Sequence, residues 1–165
     1  MKPIYKFRPC FDMSEHKAKI SWRRESPDFL KGKYSREHTW TFDGGMTIPA
    51  SPAPSVVPVP YSNPAHVDPE EAFVASVSSC HMLTYLHLAS RKGFVIDAYE
   101  DDAVGVMSKN ERGTSWISTI QLRPTISYSG EKLPKPEDEK QLHHDAHEHC
   151  FIANSIKTVV TVEIV

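Results

Sequence analysis

From Ala72 to Ser90 this 165-residue chain carries no aspartate, glutamate, lysine or arginine. Asp68-Pro69-Glu70-Glu71 stands directly before that stretch and Gly93 soon after it. Asp68 can cap a helix, Pro69 suits its first turn, and Glu71 completes a capping box. The spacing therefore predicts a helix from about Asp68 to Lys92, stopped by Gly93. Phe73, Val77 and Cys80 share one face of it, while Val74, Leu83, Leu86 and Leu88 put apolar groups elsewhere. A helix apolar on most sides must be covered on most sides. The stretch is about long enough to span a bilayer. Ser76, Ser78, Ser79, His81, Thr84, His87 and Ser90 interrupt it, however, and a core helix is the better reading.

The remainder offers limited cover for such a helix. His16–Trp22 and Tyr34–Phe42 alternate as half-exposed strands do, with Asp43-Gly-Gly45 ending the second. In that strand Arg36, His38 and Trp40 fall on one face. Residues 49–64 hold six prolines, which neither a helix nor a central strand tolerates. An ordered extended loop, placed as a rim over a site, is expected there. Val95–Met107 and Trp116–Tyr128 read as a long hairpin across Lys109-Asn-Glu-Arg-Gly113. Pro134 and Pro136 introduce a second helix, Glu137 to Asn154, with Leu142, Ala146, Cys150 and Ala153 along one stripe. Lys157–Val165 reads as a closing strand. The whole is an α+β chain, one domain over residues 1–165. One modest sheet and one other helix leave the central helix short of cover, so a homodimer is expected.

A formal net charge of −2 gives no electrostatic reason to expect nucleic acid or an anionic membrane as partner. Three cysteines in a chain of this length do not form a secreted disulfide framework. Met1–Cys10 lacks the apolar core of a signal peptide. A soluble, reducing, cytoplasmic setting is the expectation.

The chemistry-bearing residues are the thiols and histidines. Cys10 reads as a small hydrophobe. Cys80 and Cys150 each occupy the packed face of a helix, and two antiparallel helices could bring those faces together. Cys80 lies too far from the helix start for the dipole to act on it, so a cation is needed to favour its thiolate. Arg36 is one source, with Arg23 and Arg24 as others. Glu70 could orient such an arginine, but ten helical residues put it about 15 Å from Cys80. His143, His144, His147 and His149 crowd the second helix. The i, i+4, i+7 spacing of His143, His147 and Cys150 could hold zinc or copper. Cys80, His81, His147 and Cys150 could also serve a non-enzymatic metal- or ligand-binding dimer, and the thiols alone a redox sensor. No phosphate loop, Gly-x-Ser-x-Gly or paired catalytic acids occur.

Asp68-Pro-Glu-Glu-x-Phe with Cys80, and Ala146-His-Glu-His-Cys150-Phe-Ile-Ala-Asn-Ser155, resemble the two cysteine motifs of the OsmC/Ohr family of thiol-dependent peroxidases. Element order and the spacing of roughly seventy residues between the cysteines are similar too. The resemblance implies an intertwined α+β homodimer with sites at the subunit interface. It implies Cys80 as the peroxidatic cysteine, Cys150 as the resolving cysteine, Glu70 as the motif glutamate, and an arginine from the first hairpin, Arg36 or else Arg24. The implied reaction reduces an organic hydroperoxide, alkyl or fatty, with an external dithiol, often a lipoylated protein, as reductant and no bound cofactor or metal. His81 and Phe151 depart from the pattern, which usually has an apolar residue and proline there, and the histidine cluster is additional.

Overall fold

The computed structural model describes residues 14–164, and Cys10 and the N-terminal segment lie outside them. The chain divides into two compact units, one ending at Val67 and one beginning at Asp68.

The first unit is built on an antiparallel sheet in which β1 (Ala18–Ser21) and β3 (Thr47–Ala50) flank β2 (His38–Phe42). The β2–β3 turn closes where Gly45 adopts a left-handed φ of 86° and Phe42 accepts its N–H. The second strand is shorter than the sequence reading: it begins at His38, so Arg36 precedes it. Residues 22–37 are instead organised by aromatic packing of Trp22, Phe29 and Tyr34 and by a bond from Trp22 Nε1 to the Ser35 carbonyl. Pro49 does enter a strand, opposite Thr39, because β3 lies at the sheet edge. The proline-rich segment beyond it is ordered by its own bonds. Ser51, fully buried, receives Asn63 N–H on its hydroxyl and donates its N–H to Val67.

The second unit opens with α1 (Pro69–Lys92), capped as the sequence predicts. Asp68 accepts the Glu71 N–H at 2.7 Å, Glu71 returns a carboxylate to the Asp68 N–H, and Gly93 ends the helix with φ 80°. The long hairpin is present but divided. β4 (Val95–Asp101) pairs with β7 (Pro124–Ser129), and β5 (Val104–Lys109) pairs with β6 (Ser115–Leu122). Asp101 bridges the break, accepting from the Ser78 hydroxyl of α1 and from the Arg123 N–H. β8 (Val159–Val162) adds to β6 in parallel. Gly105 of β5 rests so close to α1 that a Cβ there would meet Val74 Cγ2 at 2.5 Å.

Helix α2 (Pro136–His149) ends earlier than the sequence stripe suggests. Cys150 is its C-terminal cap with extended backbone, and Ala153–Ser155 form a separate short 3-10 turn. The Asn154 side chain donates to the Glu148 and Cys150 carbonyls, and the Asn154 N–H also bonds the latter.

Two apolar clusters result. Tyr85, Ala89 and Phe94 pack with Leu142 and Ala146 of α2, while Val77 packs with Ile120 and Leu122. The buried positions of α1 are Val77, His81, Tyr85 and Ala89, a single i, i+4 stripe. By length and composition α1 also suits a membrane span. In the fold the helix packs against α2, β4, β5 and β6. Its other faces remain partly open, Leu83 being 61% exposed, and every residue of β5 is exposed.

Candidate functional site

Helix α1 and the end of α2 bring the two cysteines of the second unit together. Both are free thiols, Cys80 half-buried and Cys150 fully buried. They are neighbours, and burial followed by the interaction with Cys80 pushes the Cys150 thiol up to about 11. The Ala153 N–H points at Cys150 Sγ from 3.4 Å and opposes that shift. Cys150 therefore keeps its proton at neutral pH. Its extended backbone, past the last helical turn, places it at a junction rather than inside a rigid helix.

A second contact between the same helices lies beside the thiols. His81 Nε2 and His143 Nδ1 share one hydrogen at 3.1 Å, and the rings stack within 7° of parallel. Both side chains are buried. Burial holds each imidazole near 4, His81 being lowered further by His143 and His147, and His143 being drawn back up by Asp101. The pair is therefore two neutral rings with one proton between them. Among the described residues His81 Nδ1 has no hydrogen-bond partner.

This contact displaces the metal site that the histidine spacing allowed. Among the described residues no three His, Cys, Asp or Glu side chains gather to hold a metal ion. The i, i+4, i+7 face fails because Cys150 has left the helix and His143 is turned to His81. His149 is occupied with the Asp145 carbonyl, and His144 is exposed.

Glu70 lies in the first turn of α1, where the helix dipole favours a carboxylate. It lines a cavity of about 470 Å³ with Phe73, Met107, Trp116, Ile117, Ile156 and Lys157. Trp116 and Lys157 were not singled out in the sequence, because they come from β6 and the segment before β8, forty-one residues apart in the chain. Only the parallel pairing of these strands makes them neighbours.

Arg36 belongs to the first unit. Its guanidinium donates to the Tyr34 carbonyl at 2.9 Å and lies 4.1 Å over the Tyr34 ring. Arg23 and Arg24 follow β1 and are exposed.

The OsmC-like protein family model matches residues 62–165, the segment that contains both thiols. The chain belongs to the OsmC-like family. An OsmC-like protein of unknown function from Vibrio cholerae is 49% identical, with a TM-score of 0.90 over 93% of this chain and all of that one. An organic hydroperoxide resistance protein from Legionella pneumophila matches at 16% identity and TM-score 0.65, covering 92% of this chain and 95% of its own. A protein of the same description from Elizabethkingia anophelis gives 16% and 0.65 over 98% and 95%. These last two likenesses concern the fold. No match was found among curated proteins. Membership accords with the α+β architecture and with the two cysteine motifs from which the family was inferred.

Proposed function

We propose that this OsmC-like protein is a thiol-dependent reductase of organic hydroperoxides. The observation that carries the reading is the contact between a reachable Cys80 and a buried, protonated Cys150. In the first step the Cys80 thiolate attacks the distal oxygen of R–O–O–H. The O–O bond breaks, the alkoxide leaves and takes a proton as the alcohol, and Cys80 becomes a sulfenic acid. Cys150 then attacks the sulfenic sulfur, expelling hydroxide that leaves as water with the Cys150 proton, and a disulfide forms. An external dithiol of the lipoyl kind reduces it by two exchanges, becoming a disulfide itself. The apolar flanks of α1 favour alkyl and fatty hydroperoxides over hydrogen peroxide.

The roles of the charged residues belong to this proposal. We assign Arg36 to favour the Cys80 thiolate and Glu70 to orient the guanidinium by a bidentate pair. Arg36→Ala is expected to slow the first step about a hundredfold at neutral pH, by stopped-flow with cumene hydroperoxide; about 3 kcal/mol is the usual scale for a charged hydrogen bond. An unchanged rate moves the assignment to Arg24.

A working unit of two chains in the cytoplasm completes the reading. What supports the dimer is the apolar surface left open on α1 and β5, including Leu83, Val106 and Met107. What supports treating residues 1–165 as one functional domain is that the Vibrio cholerae likeness runs through both units.

The test is peptide mass spectrometry on reduced protein given one equivalent of cumene hydroperoxide, beside a hydrogen peroxide control. The expected product is a Cys80–Cys150 disulfide that forms faster with the organic peroxide. Two thiols still free after the organic peroxide is consumed elsewhere in the mixture, or left intact, sink the reading.

A further inference from the structure

The two thiols differ in the directions from which a nucleophile can reach them. Cys80 is half-buried, and Ser76 and Ser79, which border it on the surface of α1, are exposed. Cys150 has no exposed surface, and Ala146, one turn before it, is equally buried. The Cys150 sulfur also accepts the Ala153 N–H at 3.4 Å, and the Ile152 N–H acts in the same direction. A thiolate enters a disulfide in line with the S–S bond, from the side away from the leaving sulfur. Once Cys80 and Cys150 are joined, the line onto Cys80 starts from the exposed flank of α1. The line onto Cys150 starts inside the protein, where no reductant stands.

We propose that the disulfide opens in one direction only: the recycling thiolate bonds to the Cys80 sulfur, and the Cys150 sulfur leaves beside the Ala153 N–H. This rests on the thiol-pair reading above and deepens it by assigning the order of the two exchanges. In the first, the S–S bond breaks as the new one forms, and its electron pair stays on Cys150. Cys150 then takes up the proton that the attacking thiol gave up. In the second, the other thiol of the reductant loses its proton to water and attacks the reductant's own sulfur. That step closes the reductant's disulfide and expels Cys80 as thiolate, so two electrons pass from reductant to protein. A raised proton affinity makes Cys150 a slower leaving group, and the two N–H groups offset part of that. The same affinity protects the step once made. Burial, its larger cause, persists while Cys80 carries the reductant, so the released sulfur is protonated at neutral pH and does not attack back. Cys80, expelled last, returns as the thiolate that the next peroxide needs.

The test starts from full-length protein whose disulfide is made with diamide, so it does not depend on peroxide turnover. One equivalent of glutathione is added, the reaction is stopped with acid, and the free thiols are blocked with N-ethylmaleimide. Peptide masses then locate each label and keep Cys10 apart. Glutathione should sit on Cys80 about tenfold or more in excess of Cys150, and unfolding the oxidised protein in urea should erase the preference. Glutathione on Cys150, equal labelling of both, a preference that survives urea, or failure of diamide to join the pair overturns the proposal. Ala153→Pro removes the N–H and should slow the exchange about tenfold, the usual scale for a hydrogen bond to a charged group. Ala153→Gly keeps the N–H and is the conservative control. An unchanged rate in the proline variant overturns the role of Ala153; if that variant does not fold, the mapping of wild-type protein decides. The two ideas fail separately. No oxidation by cumene hydroperoxide sinks the peroxidase reading, whereas glutathione on Cys150 sinks only the direction of exchange.

Discussion

Cys80→Ser protein should consume organic hydroperoxide no faster than buffer, whereas Cys150→Ser protein should reduce one equivalent and stop with its oxidised sulfur exposed to further attack. The asymmetry follows from burial and proton affinity. Cys80 is half-buried, so a peroxide can reach it. Cys150 is fully buried and, with its thiol pushed up to about 11, stays protonated at pH 7. It cannot stand in for Cys80 as the first nucleophile. Its reach extends to one electrophile, the sulfur already in contact with it. Serine at position 150 keeps a hydroxyl near Cys80 but forms no disulfide, so the sulfenic acid should persist, react with dimedone, and rise to sulfinic acid in excess peroxide. Wild-type protein should show neither product. Full peroxide consumption by Cys80→Ser, or a dimedone-free Cys150→Ser that cycles at the wild-type rate, would place the chemistry elsewhere.

Acid should destabilise the fold steeply between pH 6.5 and 4, through the buried His81–His143 pair. Both rings titrate near 4 in the folded protein because burial opposes charge, against 6.5 when exposed. Above pH 6.5 neither state binds a proton there and the pair costs nothing. As pH falls through the window the unfolded chain takes up protons that the folded chain refuses, so stability drops with each step of acidification. Below 4 the folded pair begins to accept protons and the loss levels off. The upper bound is about 3 kcal/mol for each histidine, a large part of the stability of a domain this size. The groups facing the pair are Tyr85, His147 and Asp101, and only Asp101 favours the charged form. Urea midpoints measured from pH 7 to 4 check this. His81→Leu should remove about half of the pH dependence, and a wild-type midpoint that stays flat to pH 4.5 contradicts the whole account. The consequence reaches the thiols, since the same two helices hold both pairs.

The sequence by itself determined the elements whose signals are local. Asp68, Pro69, Glu71 and Gly93 bound α1 correctly because caps and breakers act within a turn. The two cysteine motifs were enough to name the family, since each is a run of neighbouring residues. What the sequence misjudged were places where side-chain contacts, near or distant, override a backbone pattern. Helical spacing carried the second helix past Cys150, whereas the backbone turns extended at Cys150 and the Asn154 amide bonds the Glu148 and Cys150 carbonyls. Alternation placed Arg36 in a strand, whereas Tyr34 and the aromatic cluster hold it in the preceding loop. The i, i+4, i+7 spacing of His143, His147 and Cys150 left a metal open as an alternative, and only the structure gives His143 its partner, sixty-two residues away in the chain. Which side chains meet across two helices depends on their depth and rotation against a shared core, and that is set by tertiary packing alone. The thiol contact, the histidine pair and the lysine at the cavity rim are all decisions of that kind.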